Sequence, residues 1–279
     1  DVDVPWLPAG EPSPDTVVVQ CGPDPQFAGY PMRTHRCDLT VTASIGPLLA
    51  ALLPALAARG GQIDPDRADR VRAAAAREGT RRAATLAAAA EPDGPITKQA
   101  LNAALAQVRP PDAVVVNEYW AAPDLLGFTR PGTYFGTPPA GGLGWGLPAA
   151  MGVQLARPSA TVIATLGDGA YLFANPAACH QAMAMHGLPV LTVVCSNGRW
   201  GAVQGSALQM YPDGHAAAAP DLSPLARLDP VPDLSLYSRA SGGHGQRVRT
   251  RADLVPALRE ALRVVQDERR HALLDVECV

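Results

Sequence analysis

Residues 160–197 read ATVIATLGDGAYLFANPAACHQAMAMHGLPVLTVVCSN, and this stretch decides the fold class. It contains an apolar segment at 160–169 and a second one at 188–197, with a predicted helix at about 175–186 between them. Continuous apolar strands that alternate with helices are typical of a parallel sheet covered on both faces. The stretch therefore predicts a strand–helix–strand unit of a doubly wound α/β domain.

The same alternation continues on both sides of this unit. Further strands are predicted at 112–118 (DAVVVNE), 245–250 (GQRVRT) and 272–279 (ALLDVECV), and helices at 96–108, 142–156 and 252–268. Ligands of such sheets bind outside the carboxyl ends of the strands. Three polar segments follow strands in this way, namely VNEYW (116–120), LGDGA (166–170) and CSNGRW (195–200).

The first 90 residues have a different character. A buried strand is predicted at 15–22 (DTVVVQCG) and a helix at 44–60. An Ala/Arg-rich helix at 64–90 has acids near its start, which suits the helix dipole, and we interpret it as a solvated helix linking two domains. The character changes after EPDGP (91–95), so we place the domains at 1–90 and 91–279.

Composition excludes several classes of protein. The net charge of −3 is spread along the chain without a Lys/Arg block, which argues against nucleic acid as a partner. The apolar run at 45–58 is interrupted by proline and too short to span a bilayer, so no membrane association is expected. The five cysteines form no CxxC pair and favour reduced thiols in a cytoplasmic protein.

Asp168 and Asn197 are the candidate metal ligands. Asp168 lies between two glycines at a strand end, where bare backbone N–H groups and a helix N-terminus favour an anion. The carboxylate would repel that anion unless a hard cation such as Mg²⁺ lay between them. Asn197 ends the next strand, and its amide oxygen could reach the same ion. GDG alone could be an ordinary turn and Asn197 an ordinary cap, but the combination at one sheet edge favours the metal site.

The spacing of GDG and SNG (196–198) resembles the thiamine diphosphate (ThDP) and metal-binding signature. GGLGWGLPAAMG (141–152) resembles the segment before that signature in enzymes similar to acetolactate synthase and benzoylformate decarboxylase. This resemblance covers residues 95–279. The first part of the chain resembles the second half of the middle domain of acetolactate synthase-like proteins; the rest of that domain and the pyrimidine-binding domain are absent from the sequence.

The resemblance implies a set of site residues. Asp168, Asn197 and the main-chain carbonyl of Arg199 would bind Mg²⁺. Leu143 would lie beneath the cofactor and force its V shape, although it could also be a core residue of a helix entry. The cofactor-binding residues expected in full are Glu118, Tyr119, Gly141, Gly142, Leu143, Gly167, Asp168, Gly169, Ala170, Asn197, Gly201, Ala202 and Val203.

Some positions depart from the family pattern. Ser196 replaces an asparagine at a position that is not a ligand, and Ala170 replaces a serine, so that only its backbone N–H would contact the diphosphate. We interpret Glu118 as a structural or pocket-edge residue rather than a catalytic acid. His180 and His186 do not share a helix face and are expected to be packing or surface groups.

The function expected from the resemblance is that of a ThDP- and Mg²⁺-dependent lyase or carboligase acting on a 2-keto acid or related acyl donor. A catalytic base is expected in the pyrimidine-binding domain of the same or a neighbouring subunit, in a homodimer or homotetramer, and none is expected in this chain. A non-catalytic homologue acting as an interaction subunit is the alternative. A dinucleotide-binding enzyme is disfavoured because no GxGxxG follows the first strand of 95–279.

Overall fold

The computed structural model describes residues 13–26, 36–60, 64–136, 142–219 and 226–279. Contacts between residues divide the chain into two compact units, Asp1–Glu78 and Gly79–Val279. The division falls inside one long helix, whereas the sequence-based boundary between residues 90 and 91 falls after it. That boundary stays a prediction.

The first unit contains a small parallel sheet and an exposed helix. Strands β1 (Val19–Gly22) and β2 (Leu39–Thr42) pair in parallel, and helices α1 (Ile45–Ala58) and α2 (Pro65–Ala89) follow. The prediction of a buried strand at 15–22 is wrong in length and burial, since Val19 is 47% exposed. The physical reason is that β2 is its one neighbouring strand in the described part of the chain, so little covers its faces.

The second unit is built on a six-stranded sheet in which every neighbouring pair is parallel. Its strands are β3 (Val114–Asn117), β4 (Tyr134–Phe135), β5 (Val162–Gly167), β6 (Val190–Ser196), β7 (His244–Val248) and β8 (Ala272–Glu277). The strand order is β4-β3-β5-β6-β8-β7. The chain leaves β3 toward β4 and then returns to the other side of β3 as β5, so the direction of winding switches between β3 and β5.

Helices follow the strands along the chain. They are α3 (Lys98–Val108), α4 (Pro123–Leu126), α5 (Gly146–Ala156), α6 (Asp168–Phe173), α7 (Pro176–His186), α8 (Gly201–Met210), α9 (His215–Ala218), α10 (Ser235–Ala240) and α11 (Arg251–Gln266). Residues 171–173 of the segment between the second GDG glycine and the predicted helix at 175–186 already belong to α6. Among the described residues, no helix is both long and apolar enough to cross a membrane.

The core has one hydrophobic cluster on each face of the sheet. Leu101 and Leu258, from α3 and α11, pack on the face that carries Val115. Leu147 and Met183, from α5 and α7, pack on the opposite face. Burying each such side chain contributes roughly 1.5–3 kcal/mol. Helices on both faces of a parallel sheet confirm the predicted doubly wound α/β fold.

Candidate cofactor site

The carboxyl ends of β3, β5 and β6 form one edge of the sheet, at the switch between β3 and β5. The register places Asn117 opposite Thr165 and Gly167 opposite Cys195, so the residues that follow these strands lie close together. This is the position at which open parallel sheets bind ligands. Lys98, at the start of α3, lies at the same edge and lines the same cleft as Asp168.

Asp168 is held in a fixed orientation by backbone donors. The residue is 3% exposed; Oδ1 accepts a hydrogen bond from Gly169 N at 2.8 Å, and Oδ2 accepts from Asn197 N at 3.0 Å and Gly198 N at 2.7 Å. Burial raises the pKa of this carboxyl above its ordinary value, and these N–H groups partly offset the rise. The carboxylate thereby joins the end of β5 to the turn after β6.

The turn after β6 contacts Asp168 through the N–H groups of Asn197 and Gly198, and the Asn197 side chain folds back within the turn. Asn197 Oδ1 accepts from Arg199 N at 3.0 Å. On the other side of the turn, Gly198 O accepts from Leu228 N at 2.8 Å and Trp200 N donates to Ala226 O at 2.8 Å. These two hydrogen bonds flank Arg199 and Arg227, which are paired in an antiparallel bridge without bonding each other directly. The N–H and C=O of Arg199 therefore face away from the 226–228 segment, toward the side on which Asn197 lies.

Asn117, which was not predicted as a site residue, organises the loop after β3. Its Oδ1 accepts from Thr165 Oγ1 at 2.8 Å and from the backbone N–H groups of Tyr119 and Ala121. Its amide nitrogen donates to Ala121 O and to the Tyr134 hydroxyl. The sequence feature that could have identified Asn117 is its place at the end of a predicted strand, directly before Glu118 and Tyr119. This network fixes where Glu118 and Tyr119 project.

Glu118 holds the loop that carries Leu143. The residue is 7% exposed; Oε1 accepts from Gly144 N at 2.5 Å and Oε2 from Gly146 N at 2.8 Å. A side chain at position 146 would bring its Cβ to 2.8 Å from Glu118 Oε2, so glycine permits this approach. The geometry agrees with the interpretation of Glu118 as a structural residue at the edge of the cleft.

Leu143 is not a core residue. It is 48% exposed and lines the same cleft as Asp168. A half-exposed leucine in a polar cleft is suited to contact the apolar face of a bound ring. It is not buried, as it would be if it were a core residue at the start of a helix. Gly142 is exposed and does not line the cleft, while Gly141 lies outside the described residues.

The two glycines beside Asp168 have different surroundings. A Cβ at Gly169 would lie 2.4 Å from the Trp200 ring, so the space beside Gly169 is filled by indole rather than left open for a ligand. A Cβ at Gly167 would lie 3.5 Å from the Tyr119 ring, which is an ordinary contact. Trp200 also packs edge-on against Phe173, with ring centroids 5.6 Å apart.

The start of α8 completes the cleft. Gly201, Ala202 and Val203 line it, and a Cβ at Gly201 would lie 3.1 Å from Asn197 Nδ2. The lining also includes Ala170 and Arg199. All the predicted site residues except Gly141 and Gly142 therefore line one cleft. Three lining residues were not predicted from the sequence, namely Lys98, Cys195 and Trp200.

The donors fit a hard divalent cation and the anionic part of a cofactor. A carboxylate, an amide oxygen and a main-chain carbonyl are oxygen ligands of the kind that Mg²⁺ prefers. In the part of the chain that the structure describes, no three His, Cys, Asp or Glu side chains form an alternative metal cluster. The cleft volume is about 90 Å³, against roughly 300 Å³ or more for a complete small-molecule site, so it suits only part of a cofactor.

The histidines are divided between the core and the surface. His180 is fully buried, and its Nε2 lies 2.8 Å from the Tyr171 hydroxyl, whereas His186 is exposed. Ser196 points away from the cleft, since its hydroxyl donates to the buried Asp275 at 2.5 Å. The serine in place of the first asparagine therefore serves the packing of β6 against β8.

Comparison with known proteins relates this chain to the thiamine pyrophosphate enzymes. The model of the thiamine pyrophosphate enzyme C-terminal TPP-binding domain matches residues 114–276. Benzoylformate decarboxylase of Pseudomonas aeruginosa is 32% identical over 183 residues, which is 63% of this chain and 32% of that protein. Acetolactate synthase of Mycobacterium avium is 27% identical over 263 residues, which is 91% of this chain and 40% of that protein.

A solved structure gives the same result. The Rhodococcus jostii RHA1 thiamine diphosphate-dependent 4-hydroxybenzoylformate decarboxylase has a TM-score of 0.56 and 27% identity, covering 67% of this chain and 33% of its own. The chain thus spans about a third to two fifths of the length of the relatives it matches. With the family model covering more than half of the sequence, the chain belongs to the thiamine pyrophosphate enzymes, and residues 114–276 are their C-terminal TPP-binding domain.

Proposed function

We propose that this chain is the metal- and diphosphate-binding part of a ThDP- and Mg²⁺-dependent lyase or carboligase acting on a 2-keto acid or related acyl donor. The observation that carries the proposal is the meeting of Asp168, Asn197 and Leu143 in one cleft at the switch point of the sheet. The names of the relatives, benzoylformate decarboxylase and acetolactate synthase, support the substrate class.

Each group has a part in the proposal. Asp168, Asn197 and the Arg199 carbonyl would hold Mg²⁺, and the Ala170 N–H and the Glu118–Tyr119 loop would face the diphosphate. Leu143, with Ala202 and Val203, would face the ring end of the cofactor. When bound, thiamine diphosphate supplies the electron sink for cleaving or forming a bond to a carbonyl carbon, and the chain supplies binding and orientation.

The rest of the site would come from outside this chain. We propose that a pyrimidine-binding domain, of the same or a neighbouring subunit, contributes the catalytic base, and that the protein works as a homodimer or homotetramer. The small cleft volume supports a shared site. We also propose a cytoplasmic location, because the cysteine pattern favours reduced thiols.

The test is calorimetry of ThDP with Mg²⁺ on the parent chain and on Asp168→Asn, which keeps the shape of the side chain and removes its charge. We expect the parent to bind only when Mg²⁺ is present, Asp168→Asn to lose at least about tenfold in affinity, and Asn197→Ala to bind clearly less tightly than the parent, because each change weakens an oxygen ligand. Asp267→Asn, an exposed change at the end of α11, is the matched control.

Three outcomes would contradict all or part of the proposal. Equal binding of ThDP and Mg²⁺ by Asp168→Asn and the parent would refute the metal assignment. Binding of NAD in place of ThDP would indicate a dinucleotide-binding protein. If ThDP binds but the whole enzyme turns over no 2-keto acid, the interaction-subunit alternative is favoured.

A further inference from the structure

Lys98 is the one lysine in the sequence. The chain has 23 basic residues, of which the other 22 (23 − 1) are arginines. This lysine lines the cleft that contains Asp168 and Leu143. Lys98 is not among the residues to which the proposed function gives a role.

The position of Lys98 is set by the start of α3. Thr97 caps the helix, its side chain accepting from Ala100 N at 3.1 Å, so Lys98 is the first helical residue. Its ammonium lies 4.2 Å from the centroid of the Tyr119 ring, and the side chain is half-buried. The aromatic face holds the cation at the edge of the cleft by a cation–π contact.

No carboxylate neutralises this cation in the described part of the chain. Lys98 makes no ion pair there, and the first turn of α3 contains no acid. The two acids of the cleft have other partners, since Glu118 accepts from Gly144 N and Gly146 N, and the Asp168 oxygens accept from three backbone N–H groups. A cation at the positive end of a helix is locally unfavourable, and a bound anion would offset this.

We propose that Lys98 binds a phosphate oxygen of the cofactor's diphosphate, on the Tyr119 side of the cleft. The inference rests on the proposed function, and it adds a cationic ligand that the metal site alone does not supply. The diphosphate is a better candidate than a substrate carboxylate because Lys98 lies on Tyr119, in the loop that is proposed to face the diphosphate. Leu143 and Val203, which are proposed to face the ring end of the cofactor, mark the apolar end of the cleft.

Calorimetry with inorganic pyrophosphate and Mg²⁺ tests this directly. We expect Lys98→Met to weaken pyrophosphate binding by about 10- to 100-fold, because a charge-assisted hydrogen bond is lost. Lys98→Arg should keep most of the affinity, since the charge remains. Arg259→Met removes the same charge from an exposed position in α11 that does not line the cleft, and it should bind like the parent.

The outcomes separate this inference from the proposed function. If Lys98→Met binds pyrophosphate as tightly as the parent, Lys98 is no diphosphate ligand, while the metal site stands. If the parent binds neither pyrophosphate nor ThDP in the presence of Mg²⁺, the proposed function fails, and the inference fails with it.

The single lysine also allows a readout that needs no variant. An amine-reactive ester should acylate Lys98 and the N-terminal amine, and peptide mass spectrometry distinguishes the two. Pyrophosphate with Mg²⁺ should slow acylation of Lys98 but not of the N-terminus, and thiamine without phosphate should not protect. Equal protection by thiamine would place Lys98 at the ring end and overturn the inference.

Discussion

Replacing Glu118 by glutamine should loosen the Leu143 loop without touching the metal ligands. The carboxylate accepts hydrogen bonds from Gly144 N at Oε1 and from Gly146 N at Oε2. Glutamine has almost the same shape but offers one oxygen and one NH₂ group. One of the two backbone N–H groups would then face another donor.

The size of the effect follows from this geometry. One hydrogen bond to a charged group is lost, at about 1.5–3 kcal/mol, and a buried N–H is left without an acceptor. We therefore expect the free energy of unfolding to fall by about 2–4 kcal/mol. With a urea m-value of roughly 2–3 kcal/mol/M, the midpoint of urea unfolding should fall by about 1 M.

Cofactor binding gives a second measure of the same change. Leu143 is carried by the loop that Glu118 holds, whereas Asp168 is held by other backbone groups. Glu118→Gln should therefore weaken ThDP binding more than inorganic pyrophosphate binding, both measured calorimetrically with Mg²⁺. Glu277→Gln, which removes the charge of a half-exposed acid on β8, should shift stability by less than about 1 kcal/mol.

Unfolding of Glu118→Gln at the same urea concentration as the parent would contradict this prediction. An equal loss of pyrophosphate and ThDP affinity in the variant would contradict it as well. Either result would mean that Glu118 does not position Leu143.

Three further predictions concern the core, the glycine of the signature and catalysis. Burial, with His271 nearby, lowers the pKa of His180 to about 3, so the unfolded state binds more protons than the folded state below the ordinary value of about 6.5. The free energy of unfolding should therefore fall by about 1.4 kcal/mol from this residue between pH 7.5 and 5.5. In urea titrations His180→Gln should remove this share of the pH dependence, while His244 and His271, whose pKa burial also lowers, keep theirs; an unchanged slope would contradict the assignment. Gly169→Ala places a Cβ 2.4 Å from the Trp200 ring and should cost about 1–3 kcal/mol and change tryptophan fluorescence, whereas Gly205→Ala, with open space around it, should not. This chain with ThDP, Mg²⁺ and pyruvate should release CO₂ no faster than free ThDP, and faster release would reveal a base within it.

The sequence predicted the sheet and the metal-ligand candidates because both depend on local patterns. Continuous apolar runs identify buried parallel strands over a few residues, and GDG and SNG follow two of them directly. The fold class, the approximate positions of β3, β5 and β6, and the edge at which Asp168 and Asn197 meet could all be predicted in this way. Strand β4 could not be, because two residues carry no periodicity.

Only the tertiary structure decided which side chains support these groups. Glu118 bonds to backbone 26 and 28 residues away, and Trp120 donates to Val193 O across 73 residues. The contact of Lys98 with Tyr119 and the packing of Trp200 on Gly169 likewise join segments far apart in the chain. The physical reason is that hydrophobic periodicity is a property of one element, whereas a hydrogen bond or ring contact between elements depends on how the whole sheet orders and spaces them.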